Sequence, residues 1–322
     1  MAEPDVADET FVFVLLERFS LLAFAAAIDP LRHANRLAGR TLYDWHVLTE
    51  TGAPAHASCG VEISAHGALE AVPRGGRVIV CGGLDVAGAT TRGLLAWLRR
   101  EARRGARMGA VCTGAFALAR AGLLDGKRCT IHWENREGFE EDFPDVDLTE
   151  QIFVIDPDAM TAAGGAASGD MMLRLIADAH GPELAGMIAD QMVYSTLRVD
   201  QDAQRLSVPA RIGVRHPKLS RVISMMHENI EEPVSAAQLA ADVGMSTRQL
   251  ERLFRRYLDR SPKRYYLELR LEKARRLLLQ TDMSVINVAL ACGFTSPSHF
   301  SKCYRAHYRR TPYRERGVAA VE

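Results

Sequence analysis

No stretch of the 322 residues approaches the ~20 consecutive apolar side chains needed to span a bilayer. The longest apolar run, Leu21 to Ile28, stops at Asp29. A basic leader is missing as well: the first ten residues, MAEPDVADET, are acidic, where a secretory signal is basic. The chain is therefore expected to stay in the cytoplasm, with no membrane partner. The six cysteines (Cys59, Cys81, Cys112, Cys129, Cys292, Cys303) form no CxxC and no Cys/His cluster. That excludes a disulfide framework and a structural zinc site and fits a reducing compartment; no metal and no cofactor are expected. Charge of one sign is not in excess either, with 40 basic against 40 acidic side chains. At first sight this argues against nucleic acid, whose partners usually carry a basic surplus. What is present is a folding composition, 48% hydrophobic and 25% charged, which excludes a disordered tail protein. The length suits two domains.

The zero balance hides a dipole. Residues 1–214 hold 20 Lys+Arg against 29 Asp+Glu, whereas residues 215–322 hold 20 against 11. An acidic module is joined to a basic one, and such asymmetry between halves points to nucleic acid.

The acidic module alternates strand-like and helix-like segments. Strands are expected at Phe11–Leu16, His46–Thr49, Arg77–Cys81, Met108–Val111, Thr130–Trp133 and Ile152–Ile155. Helices are expected at Ser20–Leu37, Thr90–Arg104, Ala115–Ala121, Ser168–His180 and Pro182–Leu197. This alternation predicts a mostly parallel sheet covered on both faces, an α/β domain over 10–197. Polar residues with Pro209, Gly213 and Pro217 mark a connector over 198–217. Beyond it, over 218–317, every long segment reads as helix.

The basic module repeats itself. Ser235 to Pro262 and Ser284 to Pro312 align at an offset of 49, pairing Ser235 with Ser284, Ala240 with Ala289 and Gly244 with Gly293. After a one-residue insertion the offset is 50, pairing Leu250 with Phe300, Phe254 with Tyr304 and Pro262 with Pro312. Each copy reads as helix, turn at glycine, helix, the helix-turn-helix arrangement. Ser246 is expected to cap the second helix of copy one, and Thr295 or Ser296 that of copy two. Copy one buries Leu250, Leu253 and Phe254 and turns Thr247, Arg248, Glu251, Arg252 and Arg255 outward; Gln249 reads adenine if it too faces out. Copy two buries Phe300 and Tyr304 and turns Ser296, Pro297, Ser298, His299, Ser301, Lys302 and Arg305 outward. Between the copies, Pro262 to Leu279 reads as one amphipathic helix whose Lys263, Arg264, Arg270, Lys273, Arg275 and Arg276 face DNA phosphates. At ~1.5 Å per residue it is long enough to hold the two second helices about one DNA turn apart.

The motifs LAADVGMSTRQLERLFRRYL and VALACGFTSPSHFSKCYRAHYRRTP make residues 218–316 resemble the AraC/XylS family of bacterial transcription regulators. The resemblance implies two recognition helices, Ser246–Arg256 and Ser296–Ala306, in adjacent major grooves of double-stranded promoter DNA. It further implies RNA polymerase as a partner, a homodimer and a role more often activating than repressing.

In the acidic module, MGAVCTGAFAL places Cys112, followed by Thr113, between a buried strand and a helix. Such an elbow exposes a thiol to helix N-terminal amides, which favour the thiolate. His132 is a candidate base or orienting partner, Trp133 a candidate pocket wall, and Gly82-Gly83 a candidate oxyanion-type nest. The plain alternatives are a small buried cysteine, a satisfied core histidine and a core tryptophan. With FSLLAFAAAIDPLRHANRLAG, VCGG, AVCTGAFALARAGLLDGKRCTIHW and TAAGGAASGDMMLRLIA, residues 10–190 resemble the PfpI-like branch of the class I glutamine amidotransferases. The nearer resemblance is to the flavodoxin-like three-layer domains of regulators that fuse this fold to an AraC-type tail. Catalytic relatives carry a glutamate beside the cysteine; the matching stretch here, Leu21 to Ala27, has no carboxylate, and Ala23 takes that place. The expectation is a ligand sensor without catalysis, the alternative a cysteine hydrolase or amidase fused to a DNA-binding tail. The whole-chain resemblance is nearest to regulators responding to small nitrogenous metabolites: glycine betaine, carnitine, or amino acids such as arginine. Phe19, Phe24, Trp45, Phe116 and Trp133 are candidate faces for a quaternary ammonium.

Overall fold

A computed structural model describes residues 7–194, 198–202, 204 and 216–319. Its contacts divide the chain into two compact units, Met1–Gln204 and Arg205–Glu322. Most of the connector expected over 198–217 lies outside the described residues; the helix expected to reach Leu197 instead ends at Gln191, where Met192 caps it and Val193 turns to a left-handed φ of 55°.

The first unit contains β1 (Glu9–Leu15), α1 (Leu21–Ala38), β2 (Tyr43–Thr49), β3 (Ala55–His56), β4 (Glu62–Ile63), β5 (Gly67–Ala68), β6 (Arg77–Cys81), α2 (Val86–Ala89) and α3 (Arg92–Arg103). It continues with β7 (Arg107–Val111), α4 (Ala115–Arg120), β8 (Arg128–Cys129), α5 (Arg136–Asp142), β9 (Asp147–Leu148), β10 (Phe153–Ile155), β11 (Ala159–Ala162), α6 (Ala167–His180) and α7 (Pro182–Gln191). A seven-stranded sheet has the order β10-β11-β7-β6-β1-β2-β5. All its pairings are parallel except β10 with β11. The strands are nearly continuous apolar runs because both faces are covered. Phe11, Phe13 and Leu15 pack toward α1 and α6, while Val12, Val14 and Leu16 pack toward α3 and α4. Local signals set the helix ends: Ser20 caps α1, Gly39 closes it at φ 67°, and Thr91 caps α3.

Two local expectations fail. Thr130–Trp133 is not a strand: only Arg128–Cys129 pairs, with Asp147–Leu148, and Trp133–Asn135 is a 3-10 turn. Buried Thr130 instead donates its hydroxyl to Gln151 O (2.6 Å) and its amide to Thr161 Oγ1 (2.9 Å). The antiparallel β10–β11 hairpin was not expected, because AMTA is too short and too alanine-rich to announce a strand.

Among the described residues the elements of the second unit are all helices: α8 (Pro217–Glu228), α9 (Ala236–Asp242), α10 (Thr247–Leu258), α11 (Pro262–Gln280), α12 (Val285–Ala291), α13 (Pro297–Tyr308) and α14 (Pro312–Ala319). The sequence repeat recurs in the backbone. Ser235 and Ser284 cap α9 and α12 through the amides of Gln238 and Asn287. In the turns, Gly244 N donates to Ala241 O and Met245 N to Ala240 O; Gly293 N donates to Leu290 O and Phe294 N to Ala289 O. Gly244 and Gly293 sit at φ 63° and 71°, and Asp259 and Arg309, fifty residues apart, close α10 and α13 at φ 53° and 60°.

The long helix α11 departs from the single amphipathic stripe. Tyr266 and Leu269 enter the core of the first copy, whereas Leu271, Ala274, Leu277 and Leu278 enter that of the second. At 3.6 residues per turn the two sets are centred roughly 120° apart and occupy successive lengths of one rod. It is a strut shared by two small cores.

Candidate nucleic-acid interface and ligand elbow

The second helix of each copy begins at a serine. Ser246 Oγ accepts from Gln249 N (3.3 Å), and Ser296 rather than Thr295 takes the same place in copy two, accepting from His299 N (3.3 Å). Leu250, Phe254, Phe300 and Tyr304 are fully buried. Thr247, Arg248, Glu251, Arg252 and Arg255 are exposed on α10, as are Pro297, Ser298, His299, Lys302 and Arg305 on α13 with its cap Ser296. Leu253 and Ser301 differ from expectation; both are half-buried at the edges of their stripes.

Gln249 is exposed, but its carbonyl oxygen is not free for the bidentate contact that reads adenine. Its Oε1 accepts from Ser246 N at 2.8 Å and from Ser246 Oγ at 3.1 Å, completing a capping box. S-x-x-Q was in the sequence as the signal for it.

Three of the cations expected at phosphates work inside the unit instead. Arg270 donates to Cys292 O and Gly293 O, both at 2.8 Å, with its guanidinium 4.1 Å from the Phe294 ring centre. Lys273 pairs with Glu231 at 3.1 Å, and Arg275 with buried Glu315 at 2.9 Å while lying over Tyr308. Helix-terminal carbonyls at the second turn need partners, and a side chain from the strut supplies two. Arg264 pairs with Glu268 at 3.0 Å. Lys263 remains exposed at the start of α11.

In the first unit the chain runs from β1 to β2 on one side, then to β6 and β7 on the other. The carboxyl ends of β1 and β6 therefore flank the topological switch point, where open α/β sheets place ligands. Cys112 follows β7 beside it at φ 60°, a left-handed conformation costly for a side chain. Its amide donates to Ala162 O (3.0 Å), and its carbonyl accepts from His132 N (3.3 Å). Gly164 covers it so closely that a Cβ there would lie 2.9 Å from Cys112 Cβ.

Burial disfavours the expected thiolate. Burial pushes the Cys112 thiol up to about 11, outweighing the Thr113 amide and the Ser20 hydroxyl that favour the anion, and the Glu134 carboxylate opposes it too. The His132 ring is turned away from a base's role: its Nδ1 accepts from Glu134 N (3.4 Å) and lies 3.9 Å from the Glu134 carboxylate. Burial lowers its pKa, so the ring is neutral near pH 7. Gly82 is no nest donor, because its amide donates to Val111 O (3.3 Å). The glycine pair serves close packing: a Cβ on Gly82 would meet Gly114 N at 2.4 Å, and one on Gly83 would meet Arg18 O at 2.0 Å. Thr113 Oγ1 ties the elbow to this loop by donating to Gly83 O (2.7 Å).

Phe19 and Phe24 are core, packed edge to face at 5.8 Å. Phe116 belongs to the opposite layer. Trp133 stays half-buried with its ring 5.6 Å from that of His132. Ser20 and Glu134 were missed as elbow neighbours: one reads as a helix cap, the other as a surface acid.

The chain matches the DJ-1/PfpI family over residues 12–178 and the helix-turn-helix domain family over 239–317. It is 47% identical over 304 residues, 94% of this chain and 83% of the relative, to the HTH-type transcriptional regulator GbdR of Pseudomonas aeruginosa. It is 47% identical over 314 residues, 98% and 93%, to the HTH-type transcriptional regulator CdhR of the same organism. A solved AraC family transcriptional regulator from Pseudomonas putida is 30% identical with a TM-score of 0.52, covering 57% of this chain and 99% of its own. The chain belongs to the AraC-type helix-turn-helix family of DNA-binding transcription regulators whose N-terminal domain is of the DJ-1/PfpI fold.

Proposed function

We propose that this regulator activates transcription in response to a small nitrogenous metabolite, a quaternary amine such as glycine betaine or carnitine, or an amino acid such as arginine. α10 and α13 enter successive major grooves of promoter DNA, with Arg248, Arg252, Lys302 and His299 toward base edges and Thr247, Glu251, Arg255, Ser296, Pro297, Ser298, Ser301 and Arg305 around them. The carrying observation is that one backbone is built twice, each time with an apolar stripe buried and cations facing water. Guanine accepts such cations more often than any other base.

The effector is placed at the elbow, among Gly82, Gly83, Cys112, Thr113, His132 and Trp133. The half-buried Trp133 indole and the Glu134 carboxylate, both neighbours of the His132 ring, support a cationic ligand, since an aromatic face and an anion suit a quaternary ammonium. A homodimer presents four helix-turn-helix units to the promoter, and RNA polymerase is the downstream partner.

The test combines footprinting on the neighbouring promoter with calorimetric titration of the full chain using glycine betaine, carnitine, choline and arginine. Protection of two sites about one helical turn apart, altered by one metabolite, is expected. No heat at millimolar concentration of any of them sinks the effector class; protection without sequence preference sinks base readout.

The strained φ of Cys112 favours a second reading, a cysteine hydrolase or amidase. Against it stand the thiol's burial, the Glu134-bound ring of His132 and the absence of a carboxylate over Leu21 to Ala27. Cys112→Ala separates the two: retained induction supports a sensor, and induction lost together with a measured turnover supports the enzyme.

A further inference from the structure

The two recognition helices share a backbone but treat the third residue after the cap differently. In α10 that residue is Gln249, folded back onto Ser246. In α13 it is His299, which makes no capping box. Its Nε2 lies 3.4 Å from Cys303 Sγ, one turn further along the same face. On another side its ring faces that of Phe294, with centroids 6.0 Å apart at 53°. Phe294 is itself buried and held beneath the Arg270 guanidinium. The exposed His299 imidazole thus has a thiol and a buried aromatic ring as neighbours. In copy one the position of Cys303 is taken by Leu253, which has no group to hold a partner by hydrogen bonding.

We propose that Cys303 is a positioning residue for DNA recognition: its Sγ–H donates to His299 Nε2, which places the ring proton on Nδ1 and presents Nδ1–H as a donor to a base edge. A thiol is a weak donor and a neutral imidazole carries one acceptor and one donor nitrogen, so the bond selects the tautomer without changing charge. Residues at the start of a recognition helix are those that reach base edges. The major-groove acceptors such a donor reads are guanine N7 and O6, adenine N7 and thymine O4. The second copy therefore discriminates at one base position through a donor held by a thiol, whereas the equivalent residue of the first copy has its carbonyl oxygen committed to the cap. The inference rests on the reading that α13 lies in the major groove.

Selection of binding sites from a randomised duplex pool tests it, with full-length wild type, His299→Ala, Cys303→Ala and Cys303→Ser. His299→Ala should flatten the preference at one base position by about tenfold. Cys303→Ala should flatten the same position, with affinity for random duplex unchanged within about twofold, which also shows that the variant is folded. Cys303→Ser, whose hydroxyl donates in place of the thiol, should restore the preference. A Cys303→Ala profile identical to wild type overturns the positioning role. So does a serine variant as flat as the alanine one, which would make packing the cause. A wild-type profile with no preference anywhere overturns the placement of both helices in the groove, a different failure from that of Cys303 alone.

Discussion

Arg252 leaves the middle of α10 on its exposed face, away from Leu250 and Phe254. Truncating it removes the proposed base contact without opening a cavity. Arg252→Ala should cost about 1–3 kcal/mol of specific affinity and relax one base position; equal loss on specific and random duplex in a gel-shift titration would contradict base readout. Cys112 is the opposite kind of residue, legible as an elbow from its neighbours but not as a reactive group. Burial outweighs the Thr113 amide and Ser20 hydroxyl that favour its anion, so at pH 8 the exposed Cys59 should react with iodoacetamide at least ten times faster. Labelling of Cys112 should climb with pH toward about 11, read by peptide mass mapping. Fast labelling near neutrality would restore the thiolate.

At the scale of elements, the repeat makes one copy a control for the other. Gly244 and Gly293 occupy equivalent left-handed turns, yet their surroundings differ. A Cβ on Gly244 meets only the end of Lys218 at 3.7 Å, while one on Gly293 meets Ile230 O at 2.5 Å and Glu231 O at 2.8 Å. Gly244→Ala should therefore cost about 1 kcal/mol, the price of left-handed alanine. Gly293→Ala should cost about 1–2 kcal/mol more, because backbone must shift. Denaturant unfolding of the two variants measures the difference, and equal losses would refute the close approach. The sequence showed both turns through their glycines and offsets. It did not show which turn lies against a neighbouring backbone, since Ile230 and Gly293 are sixty-three positions apart.

For the whole molecule, charge is segregated, but formal charge overstates what reaches DNA. Lys263 is exposed at the start of α11, whereas Lys273 on the same helix is held by Glu231. Each phosphate contact contributes about 0.9 to the slope of log affinity against log salt. Lys263→Ala should reduce the slope by about one and Lys273→Ala should leave it unchanged; a reversed result would place Lys273 at the phosphates. In the first unit, residues 198–202 and Gln204 are tied to the elements near the elbow. Ile152 N donates to Asp200 O (3.0 Å), Gln204 Nε2 to Thr130 Oγ1 (2.9 Å), and Arg198 to buried Asp170 (2.5 Å). Two residues beyond Thr130, His132 N donates to Cys112 O, so the chain leaves this unit from the neighbourhood of the proposed effector site.

Patterns of spacing were enough, from the sequence alone, to give the α/β character of the first unit, the doubled helix-turn-helix of the second and the outward faces of α10 and α13. Those features follow from periodicity, caps and glycines, which act within a few residues of themselves. The fate of individual polar groups followed from tertiary structure only. The Gln249 carbonyl oxygen is taken up by its cap, Arg270 and Arg275 are engaged within the unit, the Cys112 thiol is protonated and Thr130 is drawn out of a strand. A side chain's partner is chosen by what folding brings within about 3 Å of it. Apart from the local capping box, those partners lie tens of residues away along the chain.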